Sequence, residues 1–150
     1  PVANYSEALR GGDANSGRGV FYQNAAAQCT RCHAVGGYGA DVGPDLTSIS
    51  NTLSRELLLE SMVDPTGRIA PGFGAVTVTL RNGETLRGLL EEESEVSLTI
   101  RSGEEQWEIA KSDIENRINA PSAMPPMGDI LSRRELRDLV EFMATLDGSD

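Results

Sequence analysis

The sequence is poor in aromatics, lysine, cysteine and histidine, and each shortage narrows what the chain can be. Phe, Trp and Tyr together make up 5% of the 150 residues, while glycine is plentiful at 16. An apolar core built from so few large side chains is thin, unless another large apolar body fills it. Lys111 is the one lysine beside twelve arginines, against 23 acidic residues, and the net charge is −10. Such a surface repels phosphate, so nucleic acid and anionic membranes are poor partners, and a partner recognised electrostatically presents Arg or Lys. No apolar run approaches the roughly 18 residues of a membrane-spanning helix, so no membrane insertion is expected. No signal-peptide pattern is found within the sequence. The chain is therefore expected to be a mature protein or an excised segment, and the missing leader does not argue against export.

What is present is globular. Hydrophobic residues at 39% and charged residues at 24% are values of a folded domain. The length suits one domain, or one domain with a modest insertion, and needs no covalent staple to fold. "GDANSGRGVFYQNAAAQC" reads as a helix capped by Asp13 or Asn15, with Val20, Phe21 and Ala25 on its apolar face. A Gly- and Pro-rich loop follows, "AVGGYGADVGPDLTSIS". "LSRELLLESMVDP" is a second helix. Ser54 is its N-cap, Leu53 and Leu58 are its staple, and Leu57, Leu58, Met62 and Val63 form the buried stripe. The period then changes from 3.6 to 2. Val76, Val78 and Leu80 alternate, Asn82-Gly83 marks a hairpin, and Leu86 to Leu90 return. Val96, Leu98 and Ile100 make a third strand, and Trp107 with Ile109 a fourth. The last helix, "LSRRELRDLVEFMATL", carries a Ser132/Glu135 capping box, a Leu131–Leu136 staple, and an apolar face of Leu136, Leu139, Val140, Met143 and Leu146. Before it, "NAPSAMPPMGD" is an extended loop stiffened by three prolines. The expected fold class is mainly α. A helical domain over 1–72 and 116–150 is interrupted at 73–115 by a small antiparallel β-sheet or barrel.

Both cysteines and the only histidine lie in "AQCTRCHAV". A disulfide between Cys29 and Cys32 closes too small a loop to stabilise much, and a thioredoxin-like dithiol needs a βαβ setting that the preceding helix does not supply. Structural zinc wants four ligands, and only three soft ones stand here, within one turn. C-x-x-C-H is, by contrast, the attachment signature of c-type haem. Two thiols join the two vinyl groups and the adjacent His33 is held beneath the iron. A haem is also the large apolar filler that the core lacks. The expected cofactor is therefore one haem c, held through Cys29 and Cys32 with His33 as an axial ligand. A second histidine is not there to complete the iron, and Lys111 is a weak substitute. Met62 and Met143 fall on apolar helix stripes and read as core. Met124 and Met127 stand on the proline-stiffened loop, and either suits a soft ligand; the competing reading is that both only cap the crevice.

With those residues the chain resembles a monohaem class I cytochrome c across the first helix, "CTRCH", "GPDLT", the methionine loop and the final helix. The resemblance implies a cytochrome c fold, with N- and C-terminal helices crossing at Gly17 and Phe21 and Phe142 opposite them. It implies Pro44 as the residue whose carbonyl accepts a hydrogen bond from the His33 ring, and Met124, in Met124-Pro125, as the distal ligand. The β insertion departs from ordinary members. The order "GPDLT… RELLLESMVDPTGRIAPGF… VTLRNGETLRGLL… SAMPPM… LSRRELRDLVEFMATL" is similar to the haem-binding domain of planctomycete–verrucomicrobial type, which sits at the C-terminus of large exported polypeptides.

The expected function is electron transfer by a six-coordinate His/Met haem serving an exported dehydrogenase or respiratory partner, not an enzyme in its own right. The competing function is a gas sensor or peroxidase-like enzyme with an open or labile sixth position. Peroxidase chemistry, however, usually uses a distal histidine, which this chain lacks. The expected partner is a redox protein with a basic docking face. Covalent haem attachment places the expected address in the periplasm or elsewhere outside the cytoplasm, and no third cysteine is present to mispair. Glu91-Glu92-Glu93 reads as a solvated acidic hairpin, with a docking module as the alternative.

Overall fold

The computed structural model describes residues 2–149. The chain divides into two compact units. One comprises the residues up to Pro65 together with those from Met124 onward, and the other is Thr66–Ala123.

The first unit is helical, and its helices begin where the side chains can satisfy their first backbone N–H groups. In α1 (Ala14–Gln23) the Asp13 carboxylate accepts from the N–H of Asn15 and of Ser16. In α2 (Arg55–Val63) Ser54 Oγ accepts from Leu57 N–H. In α3 (Arg133–Ala144) Ser132 and Glu135 close a complete capping box. A kinked 3-10 segment at Val2–Ala8 precedes α1, and single turns of 3-10 helix at Cys29–Arg31, Ile49–Asn51 and Met127–Asp129 lie between the helices. α1 packs on α3 at a point only glycine allows. A Cβ on Gly17 would collide with the Asp138 carbonyl oxygen and lie 2.8 Å from Phe142 Cβ. Phe21 then stacks on Phe142 with ring centroids 5.8 Å apart. Asp138 is buried at this crossing and accepts from Asp13 N–H at 2.9 Å, placing an anion at the positive end of α1. Phe21, Leu58, Leu59, Met62, Leu136 and Val140 fill the core between the three helices.

Thr66–Ala123 has its own core. β3 (Ala75–Leu80), β4 (Thr85–Glu93), β5 (Ser97–Ser102), β6 (Glu105–Ala110) and β7 (Ile114–Asn119) form one antiparallel sheet in the order β6-β5-β4-β3-β7. A four-strand meander is followed by a fifth strand that returns to pair with the first. Val76, Val78, Leu90, Leu98, Ile100 and Ile109 face inward and are buried. A bulge between Leu90 and Glu92 bends β4, and a 3-10 turn at Lys111–Asp113 carries the chain from β6 to β7.

The expectation of a mainly α fold is overturned: the protein is mixed, 34% helical and 25% strand, with a five-stranded antiparallel sheet. Two features of the chain explain the excess of strand. β7, "IENRIN", has no apolar alternation, because Arg117 and Asn119 pair with the inward-facing Val78 and Val76 while Ile118 is exposed. β4 runs on through Glu91–Glu93, in which the Glu91 and Glu93 carboxylates are paired and Glu92 is exposed. Glu91 accepts from Arg101 and Gln106, each at 2.7 Å, and Glu93 is held by Arg117 and Lys111. The compact unit accordingly runs over 66–123, where the sequence pattern marked 73–115. Val96 lies in the turn before β5 and is exposed.

Candidate functional site

After α1 the chain turns on Asn24. Its side-chain carbonyl accepts from Ala26 N–H and Ala27 N–H at 3.0 and 2.8 Å, and its amide donates to Glu135 at 3.2 Å. The turn that follows is therefore tied to the start of α3. Gln28 then adopts a left-handed backbone (φ 51°), alone among the described non-glycine residues. This reversal starts the 3-10 turn Cys29–Arg31, where the N–H groups of Cys32 and His33 both donate to Cys29 O, at 3.2 and 3.0 Å. Cys29, Cys32 and His33 are thereby wound into a single turn.

The next residues fold back over that turn. β1 (Ala34–Val35) and β2 (Tyr38–Gly39) pair across Gly36-Gly37, both at positive φ, as a two-residue hairpin of the primed type requires. Ala40 N–H donates to Thr30 O at 3.1 Å and Gly43 N–H to Cys32 O at 2.6 Å, closing the loop on the histidine. His33 Nδ1 lies 2.8 Å from Pro44 O. A carbonyl only accepts, so Nδ1 carries the proton and Nε2 keeps its lone pair for another partner. Gly43 lies flat against the ring: a Cβ there would be 2.7 Å from Cε1 and 3.0 Å from Nδ1. Sequence reasoning missed Gly43, and its only signal was a glycine directly before Pro44.

Both thiols are free and half-buried. Burial pushes the Cys29 thiol up, which keeps it protonated. A redox dithiol shows the opposite, a thiol activated by a lowered pKa. Among the described residues no group of three or more His, Cys, Asp or Glu is placed to hold a metal ion.

The four methionines separate by burial. Met62, Met127 and Met143 are core residues, with Met127 only 3% exposed, whereas Met124 is half-buried. Met124 and Cys29 pack against the same core. Lys111 belongs to the sheet unit, where its ammonium sits 2.8 Å from Glu93. Trp107 is half-buried on the sheet core. The structure thus brings Cys29, Cys32, His33 and Pro44 into one turn and its covering loop, and seats Met124 on the core that Cys29 touches.

No protein-family model matches the chain, and no curated protein matches it either.

The donor set fits a covalently held haem on its own chemistry. Two unbridged thiols stand in the same turn as an imidazole whose Nδ1 is held by Pro44 O. The Met124 thioether packs on the same core. Glycine leaves room at the face of the ring where any side chain would press. Near the motif Tyr38 is 67% and Val42 66% exposed, so the loop covering His33 presents apolar side chains to solvent.

Proposed function

We propose that this chain is a monohaem c-type cytochrome that carries single electrons. The observation that carries the reading is the 2.8 Å contact between His33 Nδ1 and Pro44 O, in the residue that follows two free, half-buried thiols. Cys29 and Cys32 would hold the haem through thioether bonds, and His33 Nε2 and the Met124 sulfur would ligate its iron. The bound haem supplies the one-electron ferric/ferrous couple, and Met ligation raises its potential.

The chain's own residues do the rest. Pro44 O fixes the proton on Nδ1, which orients the ring and makes Nε2 a stronger donor. Asn24 and Gln28 set the start of the turn, and the loop closing on Cys32 O keeps the imidazole from swinging away. The helical core excludes water behind Cys29 and Met124. The partner class is a redox protein with a basic docking face, drawn by the net negative charge in a salt-dependent way. Haem attachment requires export-side maturation, which puts the protein in the periplasm or another extracytoplasmic space. Among the described residues no helix is long and apolar enough to cross a membrane.

The test is a pyridine haemochrome assay on denatured protein, followed by ferric and ferrous spectra of native protein with and without carbon monoxide. Haem that stays with the chain on denaturation, a low-spin spectrum indifferent to carbon monoxide, and the weak far-red thioether–iron band support the reading. Absence of covalent haem overturns it. A high-spin spectrum that shifts with carbon monoxide replaces electron transfer with sensing or catalysis.

A further inference from the structure

The loop that carries Met124 is anchored from a part of the chain far from it in sequence. Val2–Ala8 is a kinked 3-10 segment, and the kink falls at Tyr5 (φ −124°, ψ 21°). Tyr5 is partly buried against the helical core. Its ring occupies the place where a side chain on Gly128 would stand: a Cβ there would collide with Tyr5 Oη and lie 2.9 Å from Cζ. The Arg133 guanidinium covers the ring at 4.6 Å from its centroid. Arg133 also donates to Asn4 O and pairs with the Glu7 carboxylate; a backbone hydrogen bond and then this pairing hold that carboxyl below its usual range. Tyr5 therefore lies against both the last turn of the methionine loop and the first residue of α3.

We propose that Tyr5 is a positioning residue for the distal ligand, a clamp that holds the Met127–Gly128 turn in place and so keeps the Met124 thioether presented. The inference rests on the haem reading above. The mechanical link is short. Pro125 and Pro126 fix their φ angles near the ring-imposed value, so the two residues between Met124 and Met127 add little slack. Met127 is fixed by the core and Gly128 by the phenol. Displacement of the Met124 backbone toward Met127 therefore draws on rotation about the Pro-Pro pair or on release of the turn beneath it. The segment Val2–Ala8 thus does more than cover the core: it sets how often Met124 leaves.

Exogenous imidazole measures that frequency, because it binds the ferric protein only after Met124 has left, and its apparent Kd equals the intrinsic Kd divided by the open fraction. With haem content equalised by pyridine haemochrome, Tyr5→Ala is expected to raise the open fraction and lower the apparent imidazole Kd about tenfold. Tyr5→Phe keeps the ring against Gly128 and under Arg133, and is expected to stay within about twofold of the unsubstituted protein. Gly128→Ala, which drives the phenol out from the other side, gives a second reading in the same direction if Tyr5→Ala does not accumulate. An unchanged Kd in haem-loaded Tyr5→Ala or Gly128→Ala, even with a lower melting temperature, overturns the clamp and leaves Tyr5 as packing alone. Unsubstituted protein without covalent haem overturns the cytochrome reading itself, an outcome the haemochrome assay separates from the first.

Discussion

His33 Nδ1 and Pro44 O stand 2.8 Å apart, and the residue between loop and ring that permits this approach is Gly43. A methyl group at position 43 would lie 2.7 Å from Cε1, closer than two carbons tolerate, so the ring must tilt away from Pro44. The bond to the carbonyl then lengthens and Nε2 becomes a poorer donor, which favours the ferrous state. Gly43→Ala is expected to raise the reduction potential of the haem-loaded protein. Gly19→Ala, on α1 with nothing within 4 Å of the added atom, should leave it where it is. Redox titration of both variants decides the matter, and equal potentials would show that Gly43 has no part in orienting the ring.

Met124 and Met127 sit three residues apart in different surroundings. Met124→Leu is expected to abolish the far-red thioether band, lower the potential and admit carbon monoxide to the ferrous protein. Met127→Leu keeps the volume of a core residue and should cost less than about 1.5 kcal/mol, with the band retained. Met127→Ala leaves a cavity and should cost about 2–5 kcal/mol in a denaturation experiment. The assignment reverses if the band survives in Met124→Leu and is lost in Met127→Leu.

Glu93 gives the sheet unit a pH dependence of its own. The Arg117 guanidinium, bidentate at 2.9 and 3.0 Å, and the Lys111 ammonium hold its carboxyl down to about 2, against an ordinary value of 4.5. A lowered folded-state pKa means that this stabilisation is complete above the unfolded value and is lost as pH falls from about 4.5 toward 2. Trp107, the only tryptophan and half-buried on the sheet core, reports the unfolding. Urea midpoints read by its fluorescence should fall across that window in the unsubstituted protein. In Glu93→Gln they should start lower at pH 7 and stay flatter. Parallel curves for the two proteins would assign the acid response to other carboxylates.

Local signals in the sequence were read well where one residue decides the geometry. Asp13, Ser54 and the Ser132/Glu135 box stand at the helix starts, and Gly17 marks the crossing of α1 and α3. Long-range pairing was less legible. β7 shows no alternation because a barrel-like sheet lets Arg117 turn inward to meet Glu93, so polarity stops reporting direction. The same ion pairs hide the strand character of Glu91–Glu93. At the site the motif located the thiols and the ring, but the roles of Gly43 and Tyr5 depend on approach distances between segments. Position 5 and position 128 meet only once the chain is folded, and nothing about either residue announces the other.

The two ends of the sheet unit lie side by side, which makes its removal a clean test of which residues would hold the proposed haem. Thr66 O accepts from Asn119 Nδ2 and Thr66 Oγ1 accepts from Ser122 N–H, both at 3.0 Å. A short glycine–serine linker from Pro65 to Met124 therefore closes a gap the folded chain already closes, at little entropic cost. Excision of 66–123 on these boundaries is expected to leave covalent haem and the far-red thioether band intact, since every proposed ligand lies in the helical unit with its own core. Excision of 75–113 instead strands β7 without β3, its only partner, and the exposed edge should drive aggregation. Soluble, haem-loaded protein from the first deletion and aggregate from the second would fix both the boundary and the independence of the site. Loss of haem from the first would mean that the sheet unit helps hold the methionine loop in place.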